Sequence, residues 1–244
     1  MPYQKSCTIR PEETDHRGEL KLSALLHLVQ QVSGDHCDAL GLSWDRLAEK
    51  WLFWAVIRHR AEIVRLPRVG ETVTLQTWPV AQTRTAYPRA VRVLDGNGNM
   101  LFQVASLWVL MDMQSRSMVL PGKSGITVPG ETMENSPAMP QSLHPCQGQH
   151  SVLWTVGRED LDINGHVNNA MYLEHTEALL GKEPLRPAPR ELTVCYLAEN
   201  RLGQTVSLEY NLSPEGVLTV DGFRQRTDVP DGKERVYAAR IVFC

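Results

Sequence analysis

A seven-residue stretch of the first half, Val69-Gly70-Glu71-Thr72-Val73-Thr74-Leu75, recurs in the second half as Leu202-Gly203-Gln204-Thr205-Val206-Ser207-Leu208. From Gly70 to Gly203 the two copies lie 133 residues apart, about half of the 244-residue chain. Each copy is preceded by a helix-like segment and a strand-like segment, and further strand-like segments follow it. The repeat therefore predicts two halves of common architecture that arose by duplication.

The first half begins with one long amphipathic helix. Apolar residues recur at helical spacing and predict a helix over residues 23–40; they are Leu22, Leu25, Leu26, Val29 and Val32. Ser43 is typical of the N-cap of a second, short helix over residues 44–50. Strands are predicted after it, over residues 52–66, 71–80, 84–94 and 100–111, and the turn Asp95-Gly96-Asn97-Gly98 joins the last two as a hairpin. We expect the aromatic residues Trp51, Phe53 and Trp54 to lie in the core.

The second half repeats this order. Asn168 is a natural N-cap for a helix over residues 168–180, and Gly181 is a natural stop. Strands are predicted over residues 191–198, 204–212, 217–225 and 234–243, with a turn at residues 213–216. Residues 121–150 hold five prolines and little periodicity, which is typical of a linker. One further strand is expected before each helix.

These elements define an α+β fold class, because an amphipathic helix and an antiparallel sheet each cover the apolar face of the other. We divide the chain into an N-terminal domain over residues 1–120, a linker over residues 121–150 and a C-terminal domain over residues 151–244.

Composition excludes several function classes. The chain is 42% hydrophobic and 22% charged, and its formal net charge is −3, which gives no general affinity for nucleic acid. The five scattered cysteines form no CxxC pair, the histidines form no cluster with metal-ligand spacing, and no glycine-rich phosphate loop is present. No apolar run is long enough to span a membrane, and residues 1–5 have no apolar signal core. We expect a cytoplasmic protein without a metal or another cofactor.

The residues most suited to chemistry precede the second helix. Asp162, Asn164 and His166 are two residues apart, and in an extended chain they would project from one face. A carboxylate, a carboxamide and an imidazole on one face can orient groups and move protons. The trio lies where free N–H groups and the positive end of the helix dipole favour a developing oxyanion.

Two segments resemble a known family. Leu52-Phe53-Trp54-Ala55-Val56-Ile57-Arg58, followed by Arg65-Leu66-Pro67-Arg68-Val69-Gly70-Glu71, resembles the first half of the acyl-acyl carrier protein (acyl-ACP) thioesterases. The stretch from Leu161 to Tyr172 resembles the active-site segment in their second half. The resemblance covers nearly the whole chain outside the linker. It implies two tandem hotdog domains, each an antiparallel sheet wrapped around a central helix. It also implies hydrolysis of the thioester between a fatty acyl chain and the phosphopantetheine of the carrier, with release of free fatty acid and holo-ACP.

Carried over residue by residue, the family's catalytic set falls on Asp162, Asn164, His166 and a glutamate on a later strand, here Glu199. Plant members have a cysteine directly after that glutamate. This chain has Asn200 there, so a thiol nucleophile at that position is impossible and water chemistry is favoured. A nucleophilic pair of Cys195 with His166 is disfavoured, because nothing in the sequence lowers the pKa of that thiol.

Four further residues are assigned to substrate binding: Val167, Asn168, Asn169 and Tyr172. Backbone N–H groups of residues 167–169 would stabilise the oxyanion.

The first half echoes the motif in Thr14-Asp15-His16-Arg17-Gly18, but without the asparagine. Its counterpart of Glu199 is Leu66. We therefore predict one active site, in the second half, with Asp15 and His16 as structural remnants. The degenerate first half would hold the acyl chain.

Two other functions stay open on sequence alone. The chain could be an acyl-coenzyme A thioesterase, or a non-catalytic acyl-binding protein of the same fold. The partner that the resemblance implies is an acyl carrier protein, and a homodimer is left open. Because such carriers are acidic, two arginine clusters are candidates for a docking surface: Arg58, Arg60, Arg65 and Arg68, and Arg84, Arg89 and Arg92.

Overall fold

A computed structural model of the chain describes residues 2–162, 164–181, 188–226, 228 and 232–243. The chain forms two compact units, Met1–Pro140 and Gln141–Cys244. Residues 121–140 therefore lie in the first unit and residues 141–150 in the second. Within the described residues, no helix is both long and apolar enough to cross a bilayer.

The described residues of the first unit form six strands, three α-helices and one turn of 3-10 helix at Pro11–Glu13. In chain order the strands and α-helices are β1 (Tyr3–Thr8), α1 (Leu22–Ala39), α2 (Trp44–Ala48), β2 (Leu52–Ile63), β3 (Thr72–Pro79), β4 (Tyr87–Leu94), β5 (Met100–Asp112), β6 (Met118–Val119) and α3 (Pro121–Ser124). All strand pairs are antiparallel, in the order β1-β3-β4-β5-β2, and the short β6 pairs with the end of β5. The predicted helices and strands are confirmed, with ends that differ by a few residues.

The described residues of the second unit form five strands and one helix. They are β7 (His150–Thr155), α4 (Asn169–Ala178), β8 (Pro189–Tyr196), β9 (Thr205–Leu212), β10 (Val217–Gln225) and β11 (Lys233–Phe243). The antiparallel strand order is β7-β9-β10-β11-β8, which repeats the order of the first unit element for element. The common architecture predicted from the repeat is confirmed.

The same hydrogen bonds close both copies of the repeat. Gly70 donates its N–H to Ile9 in the first unit, and Gly203 donates to Val156 in the second. Both glycines have a φ of +78°, which residues with a side chain rarely adopt. The repeat therefore marks a turn that needs glycine, and this is why it remains readable in the sequence.

The helix α1 buries its apolar face against β1, β3 and β4. Its five periodic apolar residues are at most 3% exposed, as the spacing predicts. The expectation for Trp51 is wrong, because it lies at a positive φ of 56° just before β2 and is 57% exposed.

Candidate active site

The segment before α4 is a tight turn, so the premise of an extended chain is wrong. The N–H of Asp162 donates to the carbonyl of His166 at 2.8 Å, and the N–H of Gly165 donates back to Asp162 at 3.1 Å. The carboxylate Oδ1 of Asp162 accepts the N–H groups of Asn164 and His166 at 2.8 and 3.2 Å. Aspartate commonly closes such turns with its own side chain. The turn, and not strand alternation, brings the trio together.

The first unit contains the same turn. Asp15 Oδ1 accepts the N–H groups of Arg17 and Glu19 at 2.8 and 3.1 Å, and Gly18 has a φ of +74° where Gly165 has +75°. In this alignment Asp15 corresponds to Asp162, and Glu19 corresponds to His166. The feature that the two motifs share is therefore the aspartate that closes the turn. His16 is not the counterpart of His166; it aligns with Ile163, which lies outside the described residues.

Asn168 caps α4, as predicted, by accepting the N–H of Ala170 on its side-chain oxygen at 3.0 Å. The backbone N–H groups of Val167 and Asn168 already donate, to Asn200 at 2.9 Å and to Asp160 at 2.8 Å. Their assignment to an oxyanion is therefore wrong for this structure. The N–H of Asn169 has no acceptor among the described residues, and it is the donor of the three that remains available.

His166 and Glu199 are brought together although 33 residues separate them. His166 Nε2 lies 3.4 Å from Glu199 Oε2, and their side chains are 13% and 44% exposed. Glu199 is in the loop three residues after the end of β8, and not on a strand as expected. The imidazole is thus largely covered, while the carboxylate is in contact with both the ring and solvent.

Asn200 fixes this loop, and sequence reasoning missed its role. It is fully buried, and its side-chain amide donates to the Tyr172 hydroxyl at 2.6 Å. Arg224 Nη1 donates to the Glu199 carbonyl at 2.6 Å and to Asn200 Oδ1 at 3.2 Å. Because Asn200 also accepts the N–H of Val167, one residue links the Glu199 loop to the start of α4. Its position next to Glu199 was the only sequence signal.

Tyr172 belongs to a buried aromatic cluster. It is 3% exposed, stacks on Tyr237 with ring centroids 5.0 Å apart, and meets Trp154 edge-on at 5.4 Å. Burial raises the pKa of Tyr172 to about 12, so its hydroxyl stays protonated. Packing and the bond with Asn200 occupy this side chain, which does not fit its assignment to substrate binding.

Asp160 is a second residue that sequence reasoning missed. Its buried carboxylate accepts the indole N–H of Trp154 at 3.0 Å and the backbone N–H of Gly157 at 2.7 Å, and it lies 3.2 Å from His175 Nε2. Because its carbonyl also accepts the N–H of Asn168, Asp160 holds the other end of the active-site turn.

Among its described residues, the first unit has no equivalent of the His166–Glu199 pair. The backbone contacts recur, since Leu20 donates its N–H to Pro67 as Val167 donates to Asn200. The matching side chains are Glu19 in place of His166 and Leu66 in place of Glu199. The acid–imidazole pair is thus a feature of the second unit.

Three of the arginines proposed for carrier docking lie in environments that do not suit a docking surface. Arg89 is 5% exposed and cannot belong to a docking surface. Arg65 and Arg68 are paired with Glu71 and Glu19. The described His, Cys, Asp and Glu side chains form no group of three that could hold a metal ion.

Comparison with known proteins identifies the class. The family model of the acyl-ACP thioesterase N-terminal domain matches residues 1–120, and that of the C-terminal domain matches residues 144–236. The oleoyl-acyl carrier protein thioesterase 1 of Arabidopsis thaliana is 24% identical over 194 residues, covering 71% of this chain and 53% of the relative. The chain spans about half the length of the curated relatives it matches.

Solved structures show the same fold over the full length. An acyl-ACP thioesterase from Bacteroides thetaiotaomicron has a TM-score of 0.80 and 24% identity, with 99% of this chain and 97% of that chain covered. The 12:0-ACP thioesterase of Umbellularia californica has a TM-score of 0.81 and 20% identity, with 99% and 96% covered.

The fold is therefore α+β, with two tandem hotdog domains, as expected. With both family models matched in order along the sequence, the chain belongs to the acyl-ACP thioesterase family.

Proposed function

We propose that the chain hydrolyses fatty acyl-ACP thioesters and releases free fatty acid and holo-ACP. Family membership supports the reaction class, and relatives of the chain are named for oleoyl-, palmitoyl- and dodecanoyl-ACP. The observation that carries the proposal is the approach of His166 Nε2 to Glu199 Oε2 at 3.4 Å, beside a capped helix start. An imidazole and a carboxylate at this distance can share a proton and activate water.

In the proposed mechanism Glu199 takes a proton from a water molecule, and the water oxygen attacks the thioester carbonyl carbon. Its exposed fraction of 44% leaves room for that water. Such a base contributes about 10²–10⁴ in rate. The proton passes from Glu199 to His166, and as the C–S bond of the tetrahedral intermediate breaks, His166 donates it to the departing sulfur of phosphopantetheine, which leaves as the free thiol.

Asn164 is exposed at the tip of the turn and contacts Asp162, with the two side chains 3.4 Å apart. In this position it can orient the thioester head. Asp162 acts by holding the turn, and the N–H of Asn169 is the candidate oxyanion donor, a contact typically worth about 10²–10³ in rate.

We assign catalysis to the C-terminal domain, residues 151–244, and the acyl chain to the N-terminal domain, residues 1–120, with residues 121–150 as the linker. The first unit supports its part of this assignment with a cavity of about 200 Å³ that is walled mainly by apolar and aromatic side chains. We further propose a cytoplasmic location, because scattered cysteines without a disulfide framework are typical of a reducing compartment. A homodimer stays a prediction that sedimentation can test.

The reaction is tested by measuring free thiol from acyl-ACP and from acyl-coenzyme A of equal chain length. Glu199→Gln and His166→Ala are each expected to lower kcat by about 10²–10⁴. Glu215→Gln and His144→Ala are matched controls at exposed positions of the same unit. Turnover within threefold of the parent in both active-site variants would contradict the assignment. Faster hydrolysis of the coenzyme A ester would favour the acyl-coenzyme A function, and no thiol from either ester would favour the non-catalytic one.

A rival mechanism makes Asp162 or Glu199 a nucleophile that forms an acyl anhydride. Single turnover in heavy-oxygen water separates the two schemes. General-base hydrolysis places the label in the fatty acid, whereas attack of water on the enzyme carbonyl of an anhydride leaves label in the enzyme carboxylate.

A further inference from the structure

The strand β7 forms an edge of the sheet in the second unit. It pairs with β9 on one side, and no described strand pairs with its other side. The N–H of Val156 donates to the carbonyl of Gln204 at 2.9 Å. Because hydrogen-bonded pairs alternate along an antiparallel ladder, the backbone groups of Ser151, Leu153 and Thr155 face away from β9. The N–H groups of these three residues have no acceptor among the described residues, so the edge is open.

The side chains on this edge carry no charge that would keep another strand away. Leu153 is 73% exposed and Val152 is 45% exposed. Residues 150–155 include no lysine, arginine, aspartate, glutamate or proline. Edge strands in natural proteins are often protected by charged side chains or proline, because an open edge pairs readily with another chain. An exposed apolar edge without this protection favours a partner strand.

The same edge in the first unit is β1, and the two edges can be aligned residue by residue. Thr8 lies opposite Thr72 and Thr155 lies opposite Thr205, and in each pair the hydroxyl oxygens are 3.1 Å apart. Thr72 and Thr205 are also equivalent positions of the sequence repeat. Thr8 and Thr155 therefore occupy the same place in the two units.

The residues that precede these threonines protect only the first edge. Counting back along the strands, Ser6 corresponds to Leu153 and Lys5 corresponds to Val152. Lys5 Nζ forms an ion pair with Asp35 at 2.7 Å, which holds a charge at the edge. Pairing of β1 with another strand would remove part of the water around this charge. The edge of the second unit presents apolar area in place of the charge.

We propose that β7 pairs with β7 of a second copy of this chain, antiparallel and in the register that places Leu153 opposite the partner subunit's Leu153. In this register Ser151 lies opposite the partner's Thr155, so the open N–H and carbonyl groups of the edge are satisfied. On the other face of the sheet, Val152 lies beside the partner's Trp154 and is covered. The two sheets then continue into each other across a two-fold axis.

A second copy fits this edge because the edge is compatible with itself. In two-fold pairing a charge on the axis would face its own copy, and here the axis passes a leucine. In the proposed register residues 147–149 lie opposite the partner subunit's residues 157–159. The first three are uncharged, so Arg158 and Glu159 meet no like charge. An acidic partner protein would find no cation along residues 150–155.

Sedimentation of the full chain over a range of concentrations tests the proposal. A strand edge is a small interface, so we expect a reversible dimer with a dissociation constant on the order of 10 µM. Leu153→Lys brings two like charges together on the axis and should weaken the dimer at least about 30-fold. Ser6→Lys, at the equivalent position of β1, is the matched control and should dimerise as the parent does. Because neither position belongs to the proposed catalytic residues, thiol release from acyl-ACP should be unchanged in both variants.

Cysteine cross-linking tests the register. In the proposed pairing the two Cα atoms of position 153 are about 5.5 Å apart, within the range that a disulfide bridges. Leu153→Cys should therefore form a disulfide-linked dimer under mild oxidation, well above the background of the parent and of Ser6→Cys. Thr155→Cys alone should not, because its two copies lie roughly 13 Å apart along the strands. A mixture of Thr155→Cys and Ser151→Cys chains should form the mixed dimer.

A parent chain that stays monomeric far above the expected dissociation constant would overturn the proposal. So would a dimer that Leu153→Lys leaves intact or that Ser6→Lys disrupts equally, or cross-linking of Leu153→Cys no stronger than that of Ser6→Cys. Leu153→Cys keeps the proposal testable if Leu153→Lys does not fold. The inference does not depend on hydrolysis: a monomer that releases thiol refutes this inference alone, and a dimer that releases none refutes the proposed function alone.

Discussion

Replacement of the two turn aspartates separates a structural role from a catalytic one. Asp15 and Asp162 each accept two backbone N–H groups at distances between 2.8 and 3.2 Å, in turns of the same geometry. Only the turn of Asp162 leads to a histidine that faces a glutamate. Asp15→Ala is therefore an internal control for Asp162→Ala.

The loss of stability should be similar in the two variants. A hydrogen bond contributes about 1 kcal/mol net, and each alanine removes two from backbone N–H groups and one from a side chain, Arg17 for Asp15 and Asn164 for Asp162. Both aspartates are partly exposed, so water replaces part of what is lost and about 1–2 kcal/mol remains. For a chain of this length that lowers Tm by about 3–6 °C. Thermal unfolding by circular dichroism measures it.

The loss of activity should differ. Without its carboxylate the second turn no longer fixes the backbone N–H of His166, and a displacement of about 1 Å at a reacting group can cost about 10² in rate. We expect kcat/KM to fall about ten- to hundred-fold in Asp162→Ala and less than twofold in Asp15→Ala. Asp162→Asn keeps an acceptor oxygen and should retain at least about a tenth of the activity. Initial rates of thiol release measure all three.

Two results would refute this reasoning. Equal loss of activity in Asp15→Ala and Asp162→Ala would mean that the rates follow general destabilisation. A loss above about 10³ in Asp162→Asn with an unchanged Tm would mean that the carboxylate itself reacts, as in the anhydride scheme.

Three further predictions concern buried polar residues. Asn200→Ala should lower the free energy of unfolding by about 2–3 kcal/mol in urea titration, because the Tyr172 hydroxyl and Arg224 lose a buried partner. In Asn200→Cys, a thiol-alkylating reagent should inhibit the enzyme no more than it inhibits the parent, because the side chain at position 200 points at Tyr172. Asp160→Ala should cost about 3 kcal/mol in the same assay, because the Trp154 indole and a backbone N–H are left unsatisfied, and an unchanged midpoint would contradict this. Burial lowers the pKa of His59 from 6.5 to about 3, so only the unfolded chain takes up a proton at this residue as the pH falls below 6.5. The free energy of unfolding should therefore fall by about 2 kcal/mol between pH 6.5 and pH 5. This loss should be absent in His59→Gln.

Local features of the fold were predictable because they depend on neighbours in the sequence. The apolar spacing of α1 and the cap at Asn168 were both found where predicted. The helix period and the capping bond are set within a few residues, and this makes them readable. Segment ends differed most at β2, which was predicted to run to residue 66 and ends at Ile63, and at β4, which was predicted from residue 84 and begins at Tyr87.

The site was predictable only in part. The sequence placed Asp162, Asn164 and His166 near one another, but for the wrong reason, since an Asx-type turn and not an extended strand holds them. It could not show that the N–H groups of Val167 and Asn168 are already used, because their acceptors are Asn200 and Asp160. A backbone donor is available or occupied according to what packs beside it.

By itself the sequence determined the duplicated α+β architecture, because apolar periodicity and turn glycines act locally and twice in the same order. Only the tertiary structure decided which polar groups meet. It brought His166 and Glu199 together across 33 residues, turned the Asn200 side chain inward and buried Arg89. These outcomes depend on loop paths and packing between distant segments, which no local pattern encodes.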